Sequence, residues 1–351
     1  MEDEFLVTKA ARKAVPMLIS LSGTSGSGKT FSGLLLAAGM AKGGQVGMID
    51  AENGRGTLYE DDPMIRAALP GGYLYTGISA PYNPARYVKA LQAMESAGVK
   101  VCLIDSTSHE WEGEGGCTDI AENQKLRGMP NWAAAKLQHK KFLAYCLSSP
   151  MHIVFCLRAR EKTKIVKDEK GKDQFVAQGI QPVAEKNFVF EMLLSLMFDE
   201  ATHQYVGVKV PKMLAGIFKG GELITQGHGA SIREWADGGM ALDPAELLKK
   251  RARSAAELGM VEYSAMFGAL SPPQKKLLAD STHAENKAIA EIADASQVNS
   301  RLAELETHER FYQVLGNLGH PRIEEIPAVD RAKVLAIIEA ELGDMRPFGG
   351  Q

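Results

Sequence analysis

The chain has 351 residues, of which 45% are hydrophobic and 24% charged, and a formal net charge of −3 at pH 7. That balance belongs to a globular protein long enough for two domains, and it excludes a polycation that coats nucleic acid, so any nucleic-acid surface must be local. No apolar stretch reaches the roughly 18 residues that span a bilayer, and the N-terminus, MEDEFLVTKAARKAVP, lacks a signal-peptide pattern; the expected location is the cytoplasm, with no membrane partner. Cys102, Cys117, Cys146 and Cys156 have no paired metal spacing, and Cys102 and Cys156 fall inside strand-like runs, so buried thiols are expected.

Residues 1–14 are expected to form an N-terminal arm. PMLISLSG then reads as a strand, and TFSGLLLAAGMA as a helix closed by Gly43 and Gly44. QVGMID is a second strand, expected beside the first. NPARYVKALQAMESAG is a helix with Asn83 as cap and Pro84 at its first position, where a missing N–H costs nothing. VKVCLIDS is a third strand, NWAAAKLQHKKFLAYCLSS a helix capped by Asn131, and MHIVFCLR a fourth strand. Apolar strands alternating with such helices predict a mostly parallel sheet covered on both faces. REKTKIVKDEKGKDQFVAQ reads as an exposed hairpin turning near DEKGK; FVFEMLLSLMF and HQYVGVKVPK read as further strands, before the segment ends near IREWADGG. A domain boundary is expected at Gly238–Ala241. Residues 239–345 read as wholly helical, with starts at Asp243-Pro244 and Ser271-Pro272. One helix there carries Val298, Leu302, Leu305 and Tyr312 on one side, and the last carries Val334, Ile337, Ile338 and Leu342. Residues 346–351 are expected to be a flexible tail.

Between the first strand and the first helix, Gly23-Thr24-Ser25-Gly26-Ser27-Gly28-Lys29-Thr30 fits G-x-x-x-x-G-K-[ST] at every fixed place. Glycines let such a loop wrap a β-phosphate with its amide protons inward, and the helix start adds its field. Lys29 is expected on the β- and γ-phosphates of ATP, and the Thr30 hydroxyl on Mg²⁺. Asp105, ending four apolar residues, has the Walker B arrangement, in which the carboxylate organises Mg²⁺; Ser106 follows where many hydrolysing P-loop proteins carry a glutamate. Glu52, two places beyond Asp50 in MIDAEN, is the candidate to position water, with Asp50 supporting the polar network. A solvated loop acid or a ribose ligand is the rival reading of Glu52.

From Arg158 to Lys172 stand seven basic residues, Arg158, Arg160, Lys162, Lys164, Lys167, Lys170 and Lys172, against the acids Glu161, Asp168 and Glu169. A nucleic-acid loop, a solvated basic hairpin and, for Arg158, a phosphate sensor all remain open. Lys209 and Lys212 in VGVKVPKM are read either as cations offered across a subunit interface to the γ-phosphate, or as the lysines of a protected edge strand. Arg55 is another candidate finger. The stretch STSHEWEGEGGCTDIAENQKLRGMPNW reads as a mobile loop, with His109 an ordinary loop or helix-start histidine and Trp111 a packing anchor or a base-stacking ring.

GTSGSGKT, IDAEN and VCLIDS stand in the order found in RecA, and the chain resembles the RecA-like ATPases, especially phage-encoded AAA-family proteins related to the Sak4 single-strand annealing group. The resemblance covers roughly residues 15–235 and implies a RecA-like P-loop NTPase α/β core at 15–238, with a small all-helical domain after it. It places the activating glutamate on Glu52 and the magnesium aspartate on Asp105, and adds weight to Lys209 and Lys212 as groups acting on ATP bound to the next subunit. It also implies a homo-oligomer, ring or filament, with active sites at subunit interfaces. Two departures stand out. Where RecA ends its fourth strand in Asn-Gln this chain has CLRAR, so either Arg158 substitutes for the sensor or the coupling differs; and the family's further lysine after the second is missing near Leu214.

The leading expectation is Mg²⁺-dependent ATP hydrolysis coupled to single-stranded DNA in phage recombination or annealing. The alternatives are a phage motor or remodelling ATPase in replication or packaging, and a nucleotide-gated scaffold with little hydrolysis. The helical C-terminal region is a candidate surface for a single-strand-binding protein or a recombinase.

Overall fold

The computed structural model describes residues 10, 14–125, 128–167, 173–239, 244–278, 280–306, 310–320, 322–327 and 330–341. Most of the expected arm, all of the expected tail, Asp243, Leu342 and the hairpin turn at 168–172 lie outside these. The chain divides into two compact units, 1–242 and 243–351.

The first unit begins with β1 (Leu18–Gly23), α1 (Lys29–Ala41), β2 (Val46–Asp50), a 3-10 helix (Arg55–Asp61), α2 (Pro63–Ala68) and β3 (Leu74–Gly77). It continues with α3 (Pro84–Ser96), β4 (Val101–Asp105), α4 (Ser108–Glu112), α5 (Cys117–Asn123), α6 (Trp132–Ser148) and β5 (His152–Lys167). β6 (Asp173–Pro182), α7 (Phe188–Glu191), β7 (Leu194–Phe198), β8 (Tyr205–Lys209), a 3-10 turn (Lys212–Leu214) and α8 (Gln226–Asp237) complete it. The sheet runs β3-β2-β4-β5-β1-β7-β8, with β6 on β5. Pairings among β3, β2, β4, β5, β1 and β7 are parallel, while β8 on β7 and β6 on β5 are antiparallel.

Side chains alternate across the central strands, as a strand dictates. Leu103, Ile19, Leu21, Val154 and Cys156 pack with α1 and Ile232 of α8 on one face. Cys102, Ile104, Ile153 and Phe155 pack with Tyr87 and Leu91 of α3 and Phe142 of α6 on the other. α1 and α8 meet glycine against glycine: a methyl on Gly39 or Gly229 would run into backbone of the opposing helix, Gln226 O and Leu36 O respectively. Helix starts follow the expected chemistry. The Asn83 side chain accepts the Ala85 N–H and Asn131 that of Ala134, with Pro84 opening α3.

Four expectations need correction. β2 does not lie beside β1; β4 and β5 stand between them. Chain neighbours need not pair, and the uninterrupted apolar runs of β4 and β5 suit the two-sided burial at the sheet centre. β3 is a strand that the pattern did not announce, because LYTG is short and mostly exposed at the sheet edge. The glycine-rich stretch after Asp105 is not a bare loop but carries α4 and α5, whose Glu110, Cys117 and Ala121 are buried. Within FVFEMLLSLMF only Leu194–Phe198 is a strand, since Phe188–Glu191 turns helically to bury Phe188 and expose Phe190.

At the N-terminal edge of the sheet, His152 is 8% exposed and its Nδ1 accepts the Met17 N–H at 3.0 Å. Burial, then the Arg233 guanidinium, pushes its pKa from 6.5 down to about 4, with Asp237 partly opposing. The unfolded chain therefore takes up a proton below pH 6.5 that the folded ring refuses until about pH 4. Stability contributed by the neutral ring is intact above pH 6.5 and is lost as pH falls through that window, on the order of 3 kcal/mol in all. All three tryptophans, Trp111, Trp132 and Trp235, lie in this unit, so the excess of the wild-type urea midpoint over that of His152→Gln, read by tryptophan fluorescence, should shrink as pH falls from 6.5 to 4; the difference isolates the histidine, because the raised Asp105 carboxyl acts with the opposite sign in the same window. An unchanged difference would contradict the assignment.

The second unit is helical among its described residues: α9 (Pro244–Leu258), α10 (Met260–Gly268), α11 (Pro272–Leu277), α12 (Asp280–Leu305), α13 (Phe311–Asn317) and α14 (Arg331–Glu341), with a 3-10 turn at Ile323–Glu325. Ser271 and Gln274 form the reciprocal capping box that opens α11. One core gathers Leu248, Ala252, Ala256, Tyr263 and Met266, another Val298, Leu302, Phe311, Leu315, Leu335 and Ile338. Tyr312 and Ile337 were expected inside but are 51% and 43% exposed. α12 ends at Leu305, so its helical phase does not carry to residue 312, where Phe311 is the inward ring.

Candidate phosphate-binding site

β1 ends at Gly23 and α1 starts at Lys29, so residues 24–28 form a short loop at the C-terminal edge of the sheet. Gly26 and Gly28 sit at φ +82° and +85°, a region that side chains disfavour and that lets the loop curl before the helix. Ser27 is buried and its Oγ has no hydrogen-bond partner among the described residues. Lys29 is also buried, its ammonium folded back to donate to the Thr24 carbonyl at 2.7 Å. The Thr30 hydroxyl donates to Asp105 Oδ2 from the first turn of α1. An orphan hydroxyl, a buried ammonium resting on the loop itself and inward-curling glycines fit a phosphate.

β4 brings Asp105 level with Leu21 through β5. Burial pushes the Asp105 carboxyl up to about 6, the Thr30 hydrogen bond and Lys29 pull it down, and the charges of Glu52 and Asp50 add to the rise. A buried carboxylate beside a threonine hydroxyl, with two further acids near it, forms a hard oxygen donor set, which fits Mg²⁺. The Asp105–Ser106 peptide is cis.

Asp50 and Glu52 have different jobs. The buried Asp50 carboxylate accepts the N–H of Glu52 at 2.5 Å, the N–H of Gly56 at 2.8 Å and the Tyr75 hydroxyl at 3.1 Å. The Ala51 N–H donates to the Asp105 carbonyl at 2.6 Å, tying the turn to β4. Asp50 thus fixes the backbone that presents Glu52. Glu52 Oε1 accepts from Arg158 Nε at 2.8 Å and Nη2 at 2.7 Å, while Oε2 lies 3.8 Å from Arg55. Arg158 stands beside Gly23 in the sheet, with its N–H bonded to Ser108 Oγ at 2.9 Å. The structure therefore brings together the loop, Thr30, Asp105, Glu52 and Arg158.

The architecture is a mixed α/β unit with a central sheet, followed by a helical region. No protein-family model and no curated protein matches the sequence. Among solved structures, a match is the signal recognition particle 54 kDa protein of Aeropyrum pernix K1 in complex with GDP. It shares 13% identity over 95% of this chain and 78% of that chain, at a TM-score of 0.23, a likeness that carries no argument about function.

Lys209 and Lys212 are not brought to the chain's own P-loop. β8 is the last strand of the sheet and runs antiparallel, so Lys209 pairs with Ser195, which is level with Ser20, about 10 Å down the strands from Gly23. Its ammonium donates to the carbonyls of Phe190 and Met192, both at 2.6 Å. Lys212 is exposed in the 3-10 turn after Pro211. Arg55 is exposed, touching the site only through Glu52. β5 and β6 form the antiparallel hairpin, in which Arg160 is paired with Glu112 at 2.7 Å. His109 Nδ1 lies 3.1 Å from Ser106 Oγ, and its ring is 4.8 Å from Tyr82; burial, then Arg158, holds its pKa low. Trp111 stacks on Trp132 at 6.1 Å.

Two tyrosines at the site escaped the sequence reading. Tyr59 reaches the Thr30 hydroxyl, and burial pushes its pKa up; Tyr75 binds Asp50. Neither carries a motif, because one lies on a 3-10 helix and the other on the edge strand β3.

Proposed function

We propose that the first unit is a Mg²⁺-dependent ATPase whose cycle is coupled to single-stranded DNA, serving phage recombination or annealing. The observation that supports it best is the convergence of Thr30, Asp105 and Glu52 beside the glycine loop. In this reading the loop amides and Lys29 hold the phosphates, and Thr30 and Asp105 hold Mg²⁺, which when bound neutralises charge on the phosphate oxygens. Glu52 orients water and accepts its proton. Arg158 holds Glu52 through one oxygen, and a terminal phosphate would compete for that guanidinium and free the carboxylate. β5 runs unbroken from the core, through Arg158, into the basic hairpin. A shift at Arg158 therefore has a direct mechanical route along β5 toward a lysine-rich segment whose composition suits a nucleic-acid backbone.

The scaffold reading draws on the same pair: a Glu52 kept on Arg158 even with nucleotide bound would leave hydrolysis slow. ATPase rates with and without single-stranded DNA separate the two. Strong stimulation by DNA supports coupling, and a negligible rate in both conditions with ATP still bound supports the scaffold.

A homo-oligomer with Lys209 and Lys212 acting on the neighbour's nucleotide completes the proposal. Mixing tests it. A Lys209→Ala/Lys212→Ala chain and a Glu52→Gln chain should each be inactive, and activity should reappear when they are combined, because mixed interfaces hold an intact acid facing intact lysines. A mixture as inactive as its parts would contradict action across an interface.

A further inference from the structure

Three elements that follow β4 each contribute one ligating side chain to a second cluster: Glu110 from α4, Cys117 from α5 and His139 from α6. They are 1%, 0% and 5% exposed. Cys117 Sγ lies 3.3 Å from Glu110 Oε1, and His139 Nδ1 lies 3.1 Å from both carboxylate oxygens. One ligand atom from each residue lies within 4.8 Å of the other two. Ala121, Ala135, Trp111, Phe142 and Phe188 surround them.

We propose that Glu110, Cys117 and His139 form a transition-metal site, with Zn²⁺ as the resident ion and its fourth position open to water. A tetrahedral zinc with bonds of about 2.3 Å to sulfur and about 2.1 Å to nitrogen and oxygen spaces its ligand atoms about 3.4–3.6 Å apart. The observed 3.1 and 3.3 Å need only a few tenths of an ångström of opening. Charge points the same way: the salt-bridge partner of the buried Glu110 among the described residues is His139, itself buried. A divalent ion bound by thiolate, carboxylate and imidazole gives a neutral cluster.

The histidine supplies an independent observation. Its Nε2 is buried with no hydrogen-bond partner among the described residues. Nδ1 faces the Glu110 carboxylate whichever tautomer the ring adopts, and aromatic rings enclose the imidazole. With metal, Nδ1 ligates and Nε2 carries the proton, which the surrounding aromatic rings can accept weakly. Burial and the Glu110 charge hold the Cys117 thiol protonated in the absence of metal. Binding forms Zn–S, Zn–N and Zn–O bonds, releases the thiol proton to water, and oxidises nothing. The ion would pin α4, α5 and α6 together just beyond Asp105, a structural role outside the phosphate chemistry.

Because the cluster is buried, metal should enter as the chain folds. Full-length protein expressed in zinc-supplemented and in cobalt-supplemented medium is desalted and assayed for bound metal and visible absorption. The expected result is one equivalent per chain. The cobalt form should show a near-ultraviolet thiolate-to-cobalt charge-transfer band and intense d–d bands of a four-coordinate ion. Cys117→Ala abolishes the charge-transfer band, whereas Cys146→Ala on α6 retains it. Glu110→Gln, which keeps shape and a hydrogen-bonding carbonyl, weakens metal retention against a chelator at least tenfold and provides the test if Cys117→Ala does not fold. Wild-type protein with only trace metal in both media would overturn the proposal. So would a cobalt spectrum lacking the thiolate band, which would put the ion on oxygen ligands such as Thr30 and Asp105.

Discussion

Glu52→Gln is expected to bind ATP within about threefold of wild type and to hydrolyse it roughly 10²–10⁴-fold more slowly. Glutamine keeps the length of the side chain and can still accept from Arg158, so the turn held by Asp50 and the loop that holds the phosphates are left in place. What is lost is the negative charge that orients water and takes its proton. Equilibrium binding of a fluorescent ATP analogue and single-turnover hydrolysis, measured on the same preparation, separate the two effects. Near-normal turnover would show that Glu52 is a partner of Arg158 and nothing more.

Lys29→Ala is expected to act at the other step. A charge-assisted hydrogen bond contributes about 1.5–3 kcal/mol, so Mg-ATP affinity should fall about 10–100-fold. The buried ammonium donates to the Thr24 carbonyl of its own loop, a contact that ties the loop to itself rather than to the core. The tryptophan-detected unfolding midpoint should therefore move little. Titration of Mg-ATP into both proteins checks the prediction, and equal affinities would contradict a phosphate role for Lys29.

The parts of this site legible in the sequence are those whose chemistry is local. The loop from Gly23 to Thr30 has a fixed spacing because, in the proposed reading, its glycines, lysine and threonine all serve one ligand within eight residues. Asp105 announced itself by ending an apolar run, and the caps at Asn83 and Ser271 by their neighbours. Strand order was not legible. β2 reads equally well beside β1 or beyond β4, and only the paired register shows Asp50 against Asp105. The Glu52–Arg158 pair joins residues 106 positions apart, and no periodicity encodes it. The cluster of Glu110, Cys117 and His139 was hidden for a related reason. Its members come from three separate helices, two of them in a stretch whose glycines read as a loop until tertiary packing overrode them. In the helical unit, α14 was legible as a helix, but the choice of Leu335 over Ile337 for the core depended on where its neighbours pack.

A structure of the protein with Mg²⁺, ADP and aluminium fluoride tests the site most directly. The expected result is a Glu52 carboxylate about 2.6–3.2 Å from a water in line with the fluoroaluminate, with Arg158 turned from Glu52 toward the fluorides. A Glu52 still held by Arg158, with a different acid beside that water, would contradict the assignment of the hydrolytic residue.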